Sequence, residues 1–301
     1  MKLFALLGSS ESGQENAAHR SLILANMRAY APMLEVAEFY TMVGNADTPR
    51  KPATATGGKV RNLDQDYAEN TVTPQFGAVA LKIFGDKIQV DMAHVRRGQD
   101  LASLRLLEIE NFAKNLALNF QYGIFNFDKD NDGEFDGILA QVTSAMEIPL
   151  NTAINTDALR KGLIKKIMAA CDDIPGGPTF IAMDSNIRNE LAALQTEYIK
   201  YAPANFGSNL VPTINGIPII IAGKNAAGTP ALPFISGDTT GRVVVGRFGE
   251  QSDITLATNV GIEVKDLGLQ GVHWTTQVDF DVDLAILNPN SVRVITGIIS
   301  A

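Results

Sequence analysis

Gly85-Asp86 sits between two runs of alternating character, 76–84 and 87–95, and no other feature limits the fold of this chain so strongly. Gly-Asp suits the two-residue type I′ or II′ turn of a β-hairpin. Folding the chain there pairs Ile83 with Ile88, Leu81 with Val90 and Val79 with Met92, all on one face. The opposite face carries Phe84 with Lys87, Lys82 with Gln89 and Ala80 with Asp91. Turn chemistry and alternation therefore specify one register. About nine residues per strand, at about 3.3 Å each, predict a ribbon about 30 Å long. A two-stranded ribbon is marginal alone, so the apolar face needs a cover, its own chain's or a neighbour's.

The segments around this hairpin are of different kinds. Residues 14–40 read as mainly helical, with Leu22, Leu24, Met27 and Met33 among good helix formers and Pro32 kinking or splitting the stretch. From about Gly44 to Asn70 runs an irregular arm carrying Thr48-Pro49, Lys51-Pro52 and Gly57-Gly58. Its few large apolar residues build no core, so it lies across another surface or stays unpacked. After the hairpin a long helix is predicted from Asp100 to Tyr122, with Asp100 as N-cap and Gly123 as its stop. Ile109, Phe112, Leu116 and Phe120 form its stripe, and its length would be about 35 Å. An acidic loop (126–137), a helix from Asp157 to Cys171, a strand from Thr179 to Met183 and a helix from Asn186 to Tyr201 follow. From Val211 onward strands dominate, read at 217–222, 231–236, 242–247, 252–258, 261–265, 273–287 and 291–299. The fold class is α+β, helices first and strands later.

A formal net charge of −8 disfavours a protein whose main surface grips nucleic acid. The single cysteine, Cys171, excludes an intrachain disulfide framework and fits a reducing compartment. The apolar opening MKLFALL stops at Gly8, too soon for a signal-peptide core, and no stretch approaches a membrane span. A soluble protein made inside the cell is expected.

The order of the parts resembles the major capsid proteins of tailed phages, the Hong Kong 97-like fold. Local wording agrees: Gly137-Ile138-Leu139 after the long helix, Pro178 to Met183 before a helix, and Asn215 to Ile220 as a Gly-hydrophobic-Pro strand. Phe234 to Asp238 followed by Arg242 to Gly246 resembles the family's Gly-Asp turn and next strand. The likeness runs from about residue 45 to the C-terminus. It implies an N-terminal helix and arm (1–70), an extended hairpin or E-loop (71–98), a P domain on the long spine helix (99–145 and 252–287) and an A domain (146–251 and 288–301). It implies a non-enzymatic subunit that binds copies of itself into hexamers and pentamers of an icosahedral shell around double-stranded DNA. Portal and scaffolding proteins are then partners, the virion is the destination, and assembly takes place in the host bacterial cytoplasm. About 40 residues precede the arm, so any scaffold is a separate protein or these residues themselves. Val79, Leu81, Ile83, Ile88, Val90 and Met92 become the subunit-interface residues. An encapsulin-like nanocompartment would share the fold and differ in contents. Lys82 and Lys87 lie on the hairpin, but no acceptor motif identifies the cross-link that some relatives form.

Few residues suggest chemistry. Asp128-Lys129-Asp130-Asn131-Asp132-Gly133-Glu134-Phe135-Asp136 matches the front of a calcium loop, with Asp128, Asp130, Asp132 and Asp136 as candidate ligands. Position 12 is Leu139 where a bidentate Glu belongs, so weak calcium binding or a plain acidic turn is expected. Gly8 to Gly13 has phosphate-loop spacing but is followed by Gln14-Glu15 rather than a lysine. His19, His94 and His273 show no metal-ligand spacing, and Cys171 precedes two aspartates, which raise a thiol pKa. Asp279, Asp281 and Asp283 alternate with Val278, Phe280 and Val282, which puts the three aspartates on one strand face, able to bind a cation but more in keeping with a strand that has one solvated face. A calcium-binding hydrolase or adhesin built on 128–136 lacks a nucleophile.

Overall fold

The computed structural model describes residues 14–51, 60–66, 75–194, 199–203, 210–234 and 241–300. The Gly8 to Gly13 segment and the Gly237-Asp238 turn lie outside them.

The long helix, Leu101–Asn126, organises one half. Asp100 caps it, accepting the Ser103 backbone N–H at 2.9 Å and the Ser103 hydroxyl at 2.8 Å. Ile109, Ala113, Leu116, Phe120 and Ile124 form its buried stripe. Gly123 does not end the helix: it lies inside it, and the Phe127 ring occupies the place where a side chain would stand. The stripe rests on a sheet whose central strand, His273–Ile286, pairs antiparallel with Ile254–Thr258, Ile262–Gln270 and Lys82–Asp91. Phe39–Thr41 joins the same sheet, parallel to Ile254–Thr258. Phe280 is the hub between the layers, with ring centroids 5.5 Å from Phe120 and 6.5 Å from Phe39. The N-terminal helix, Gln14–Tyr30, ends before Pro32 as expected, and packs on the long helix.

A second, seven-stranded sheet has the order Glu147–Ala153, Val292–Ile299, Gly241–Gly246, Phe180–Met183, Ile217–Ile221, Leu210–Ile214, Ile199–Pro203. Its middle is apolar on both faces because it is sandwiched. Phe180, Ala182 and Val244 point into the core under the long helix. Ile181, Met183, Val243 and Val245 point into a second core with Leu163, Ile164 and Ile167 of the helix Asp157–Asp172. The helix expected over 186–201 ends early, at Ser185–Ala192, and Ile199–Pro203 pairs instead as a strand with Leu210–Ile214. No strand forms over residues 231–234.

The hairpin expected at Gly85-Asp86 is absent. Lys82–Asp91 is one continuous strand, with Gly85 opposite Asp279 and Asp86 opposite Val278. A primed turn needs positive φ at its glycine, and Gly85 is not among the glycines with positive φ. It is glycine for another reason: a Cβ there would run into the Val278 carbonyl oxygen. The ribbon of this fold lies one segment earlier. Ala46 pairs with Ala80, Asp47 with Val79, Arg50 with Phe76 and Lys51 with Gln75. Leu81 N–H to Asn45 O at 3.0 Å and Gly77 N–H to Pro49 O at 2.8 Å keep the same register. That register centres on Leu63, where Gln65 N–H reaches Asn62 O at 3.3 Å and Asp64 takes φ +62°.

Candidate functional site

The base of this ribbon is anchored by a small apolar cluster: Tyr40, Met42, Val79, Leu81, Ala257, Ala285 and Leu287. Gly77 lets the ribbon close onto Leu287 and the Lys51 stem, which a Cβ would meet at 2.9 and 3.2 Å. Beside the cluster, Asp283 of the central strand accepts the Ala80 N–H at 2.9 Å and the Leu284 N–H at 2.8 Å. Desolvation pushes its carboxyl up to about 6 against the pull of those two N–H groups, with Asp136 adding to the rise and Lys82 opposing it. The Tyr40 hydroxyl is buried with no hydrogen-bond partner, and burial first, then the charges of Asp47 and Asp283, push it up to about 12. The alternation of Asp279, Asp281 and Asp283 was visible in the sequence. The bond from Asp283 to a backbone group 203 residues away was not.

Beyond its base the ribbon holds apolar side chains away from the chain's own core. Val60 is 98% exposed, Leu63 88% and Phe76 61%. A second exposed group, Leu267, Leu269 and Val272, sits at the turn joining Ile262–Gln270 to His273–Ile286. Between these regions the outer face of the first sheet forms a cleft of about 310 Å3, lined by Ile83, Val260, Glu263, Gln277, Asp279 and Asp281.

The six residues expected at a subunit interface do not share one face. Val79 and Leu81 are buried in the cluster at the ribbon base, and Ile88 faces the main core. Val90, opposite Trp274, is also buried, and Met92 is half-buried at the start of a short helix. Ile83 alone is open, 72% exposed on the outer sheet face. The predicted cover is thus the chain's own for four of the six: Val79, Leu81, Ile88 and Val90. Val60, Leu63 and Phe76, which the fold leaves uncovered, lie instead on the ribbon, whose first strand belongs to the segment expected to be an irregular arm. Its signal was present in the short runs around Ala46 and Val79, but their separation hides the pairing.

The acidic loop closes on itself. Lys129 Nζ donates to Asp136 Oδ2 at 2.7 Å and its backbone N–H to Asp136 Oδ1 at 3.0 Å, while Glu134 accepts from Asp128 N–H and the Asn131 amide. The Lys129 ammonium is held above its usual pKa by Asp136. Phe135 is anchored in the core, and Leu139 packs against that core. Asp128, Asp130, Asp132 and Asp136 do not converge, and no group of three or more His, Cys, Asp or Glu poised for a metal occurs among the described residues. His94 and His273 line one cleft, with Asp91 and Glu108, at the foot of the long helix. Cys171 is buried and its thiol pushed up to about 11 by desolvation and Asp172. No helix among the described residues is long and apolar enough to cross a membrane.

No protein-family model matches the chain, and no curated protein matches it by sequence. Solved structures do match, at low identity. The encapsulin of the holo-SrpI complex from Synechococcus elongatus is 10% identical with TM-score 0.66, covering 90% of this chain and 89% of that one. The capsid of the native GTA particle is 12% identical with TM-score 0.63, covering 90% and 91%. The Gordonia phage Cozz is 12% identical with TM-score 0.58, covering 90% and 86%. Two sheets around one long helix, with a ribbon reaching out from the first, define the chain as an α+β protein of capsid architecture. Its fold is the Hong Kong 97-like fold, shared by phage capsids and encapsulin shells.

Proposed function

We propose that this chain is the major capsid protein of a tailed phage, with the long ribbon of each copy laid across its neighbour. Hexamers and pentamers of the chain close into an icosahedral shell around double-stranded DNA, with portal and scaffolding proteins as partners. The role is geometric, not enzymatic, and the site of action is the virion, assembled in the host cytoplasm. The observation that carries this reading is the exposure of Val60, Leu63 and Phe76 on a ribbon whose base is packed into an apolar cluster. Apolar surface held out in this way is worth about 25 cal/mol per Å2 when a second surface covers it, before ordering costs. The test is negative-stain microscopy and size-exclusion chromatography of the full chain. Closed particles support the reading; a small oligomer under all conditions overturns it.

The likeness to an encapsulin at TM-score 0.66 supports a second reading, a shell that packages protein cargo. The content of particles purified from the native source separates the two: packaged genome for a capsid, cargo protein for a nanocompartment.

A further inference from the structure

We infer that Asp283 is a protonation-controlled latch on the base of the ribbon, holding it seated when neutral and loosening it when ionised. The inference deepens the assembly reading, since it concerns the element that reading lays across a neighbour, but its test needs no assembly.

The geometry comes first. The ribbon leaves the body at Asn45 and returns at Leu81, and its last backbone rung is the bond between those two residues. One residue outward, Ala80 N–H is not used by the ribbon ladder for a carbonyl; it points at Asp283 Oδ2, 2.9 Å away. Asp283 belongs to the central strand of the first sheet, so this bond ties the ribbon to the most strongly paired part of the fold. The titratable neighbours come from every side. Tyr40 lies beneath with a buried hydroxyl that finds no partner, Asp47 stands on the opposite ribbon strand, and Asp136 comes from the acidic loop. Lys82, next along the chain from the ribbon, acts on Asp283 in the opposite sense. Desolvation first, with the Asp136 charge adding to it, makes this a poor place for a charge, and the two N–H bonds and Lys82 offset only part of that.

The direction follows from linkage. With the ribbon seated, the Asp283 carboxyl titrates at about 6; lifted into water it returns toward its ordinary value of 3.8. Seating therefore favours the protonated form. It is fully favoured below the ordinary carboxylate value and is lost as pH rises through the seated value. Acid closes the base and neutral pH frees it to adapt to a neighbouring copy.

The test is hydrogen exchange by mass spectrometry on the full chain, corrected for the intrinsic pH dependence of exchange. The segment 76–81 is followed from pH 5 to pH 8, with the long-helix segment 113–125 as internal reference. Wild type should lose protection in 76–81 by about tenfold over that range while the reference stays level, the factor set by the interval of about one unit between pH 5 and the seated value of about 6. Asp283→Asn keeps the acceptor for Ala80 without the charge, so its 76–81 segment should stay protected at every pH. If 76–81 tracks the helix in wild type, or if Asp283→Asn loses protection as wild type does, the latch is refuted. Should the variant fold poorly, the wild-type comparison of the two segments still decides. A capsid without the latch would form particles and show no such pH response; a latch without a capsid would show the response and form none.

Discussion

The guanidinium of Arg105 lies 5.1 Å above the centre of the Trp274 ring, and the same group ion-pairs with Asp266. Asp266 also accepts from Trp274 Nε1 at 2.9 Å and from Gly268 N–H at 3.0 Å, so one carboxylate ties the start of the long helix to the strand turn. The pair is mostly shielded, with side chains 14% and 21% exposed. Removing the carboxylate leaves an indole N–H and a guanidinium without their acceptor. Asp266→Ala should cost about 2 kcal/mol. Trp274 is the one tryptophan in the chain, so urea unfolding followed by its fluorescence reads both the loss and the changed local environment.

Gly85 makes a sharper prediction. A Cβ at that position meets the Val278 carbonyl oxygen and the Asp279 Cα, both backbone atoms that cannot turn aside. Gly85→Val should therefore destabilise by about 2 kcal/mol or more through separation of Lys82–Asp91 from the central strand. The measurement is the denaturation midpoint. A valine tolerated with no change would show that the two strands do not close as tightly as this register requires.

That position also shows why part of the fold was legible in the sequence and part was not. Asp100 was readable as a cap because capping is local: donor and acceptor are three residues apart. The strands at 180–183 and 241–246 were readable because continuous apolar runs mark burial on two faces. Gly85 was misread because glycine before aspartate fits a turn and a close strand approach equally well. The deciding fact, the Val278 carbonyl, lies almost two hundred residues away. Gly123 fits a helix stop and a close approach equally well too, and there the constraint is local, the Phe127 ring four residues on. The real ribbon pairs Ala46 with Ala80 across a segment rich in proline and glycine, where no periodicity announces a partner.

Leu81 and Ile83 are two residues apart and should behave oppositely. Leu81 is 6% exposed within the ribbon-base cluster, whereas Ile83 is 72% exposed on the outer face. Leu81→Asp places an unpaired charge among Tyr40, Met42 and Leu287, and should cost about 3–5 kcal/mol. Ile83→Asp should change subunit stability by no more than about 0.5 kcal/mol. Thermal melts of the two variants check this directly. Equal losses would mean that the alternation of this strand is not as described.

The acidic loop should be indifferent to calcium. Asp136 is engaged by both the ammonium and the backbone of Lys129, and Glu134 by Asn131 and Asp128 N–H. A cation would have to displace these bonds with no carboxylate at Leu139 to complete its shell. Millimolar calcium should leave the melting temperature unchanged and produce no binding heat in calorimetry. A saturable heat would show that the loop reopens around the ion.

Leu63 gives the test that bears most directly on assembly. It sits at the centre of the ribbon register, 88% exposed, next to a turn held by Asn62, Asp64 and Gln65. No core cluster of the described residues includes its side chain, so Leu63→Asp should leave the unfolding midpoint within about 0.5 kcal/mol of wild type. If a second copy covers it, the buried leucine contributes about 1.5–3 kcal/mol per contact, and a shell repeats that contact many times. A loss of that size at each copy should shift the protein from closed particles to free subunits at the same concentration. Sedimentation of wild type and variant side by side reads the shift. Unchanged particle yield with an intact subunit would place the tip outside the assembly contacts and leave the outer sheet face around Ile83 as the surface to test next.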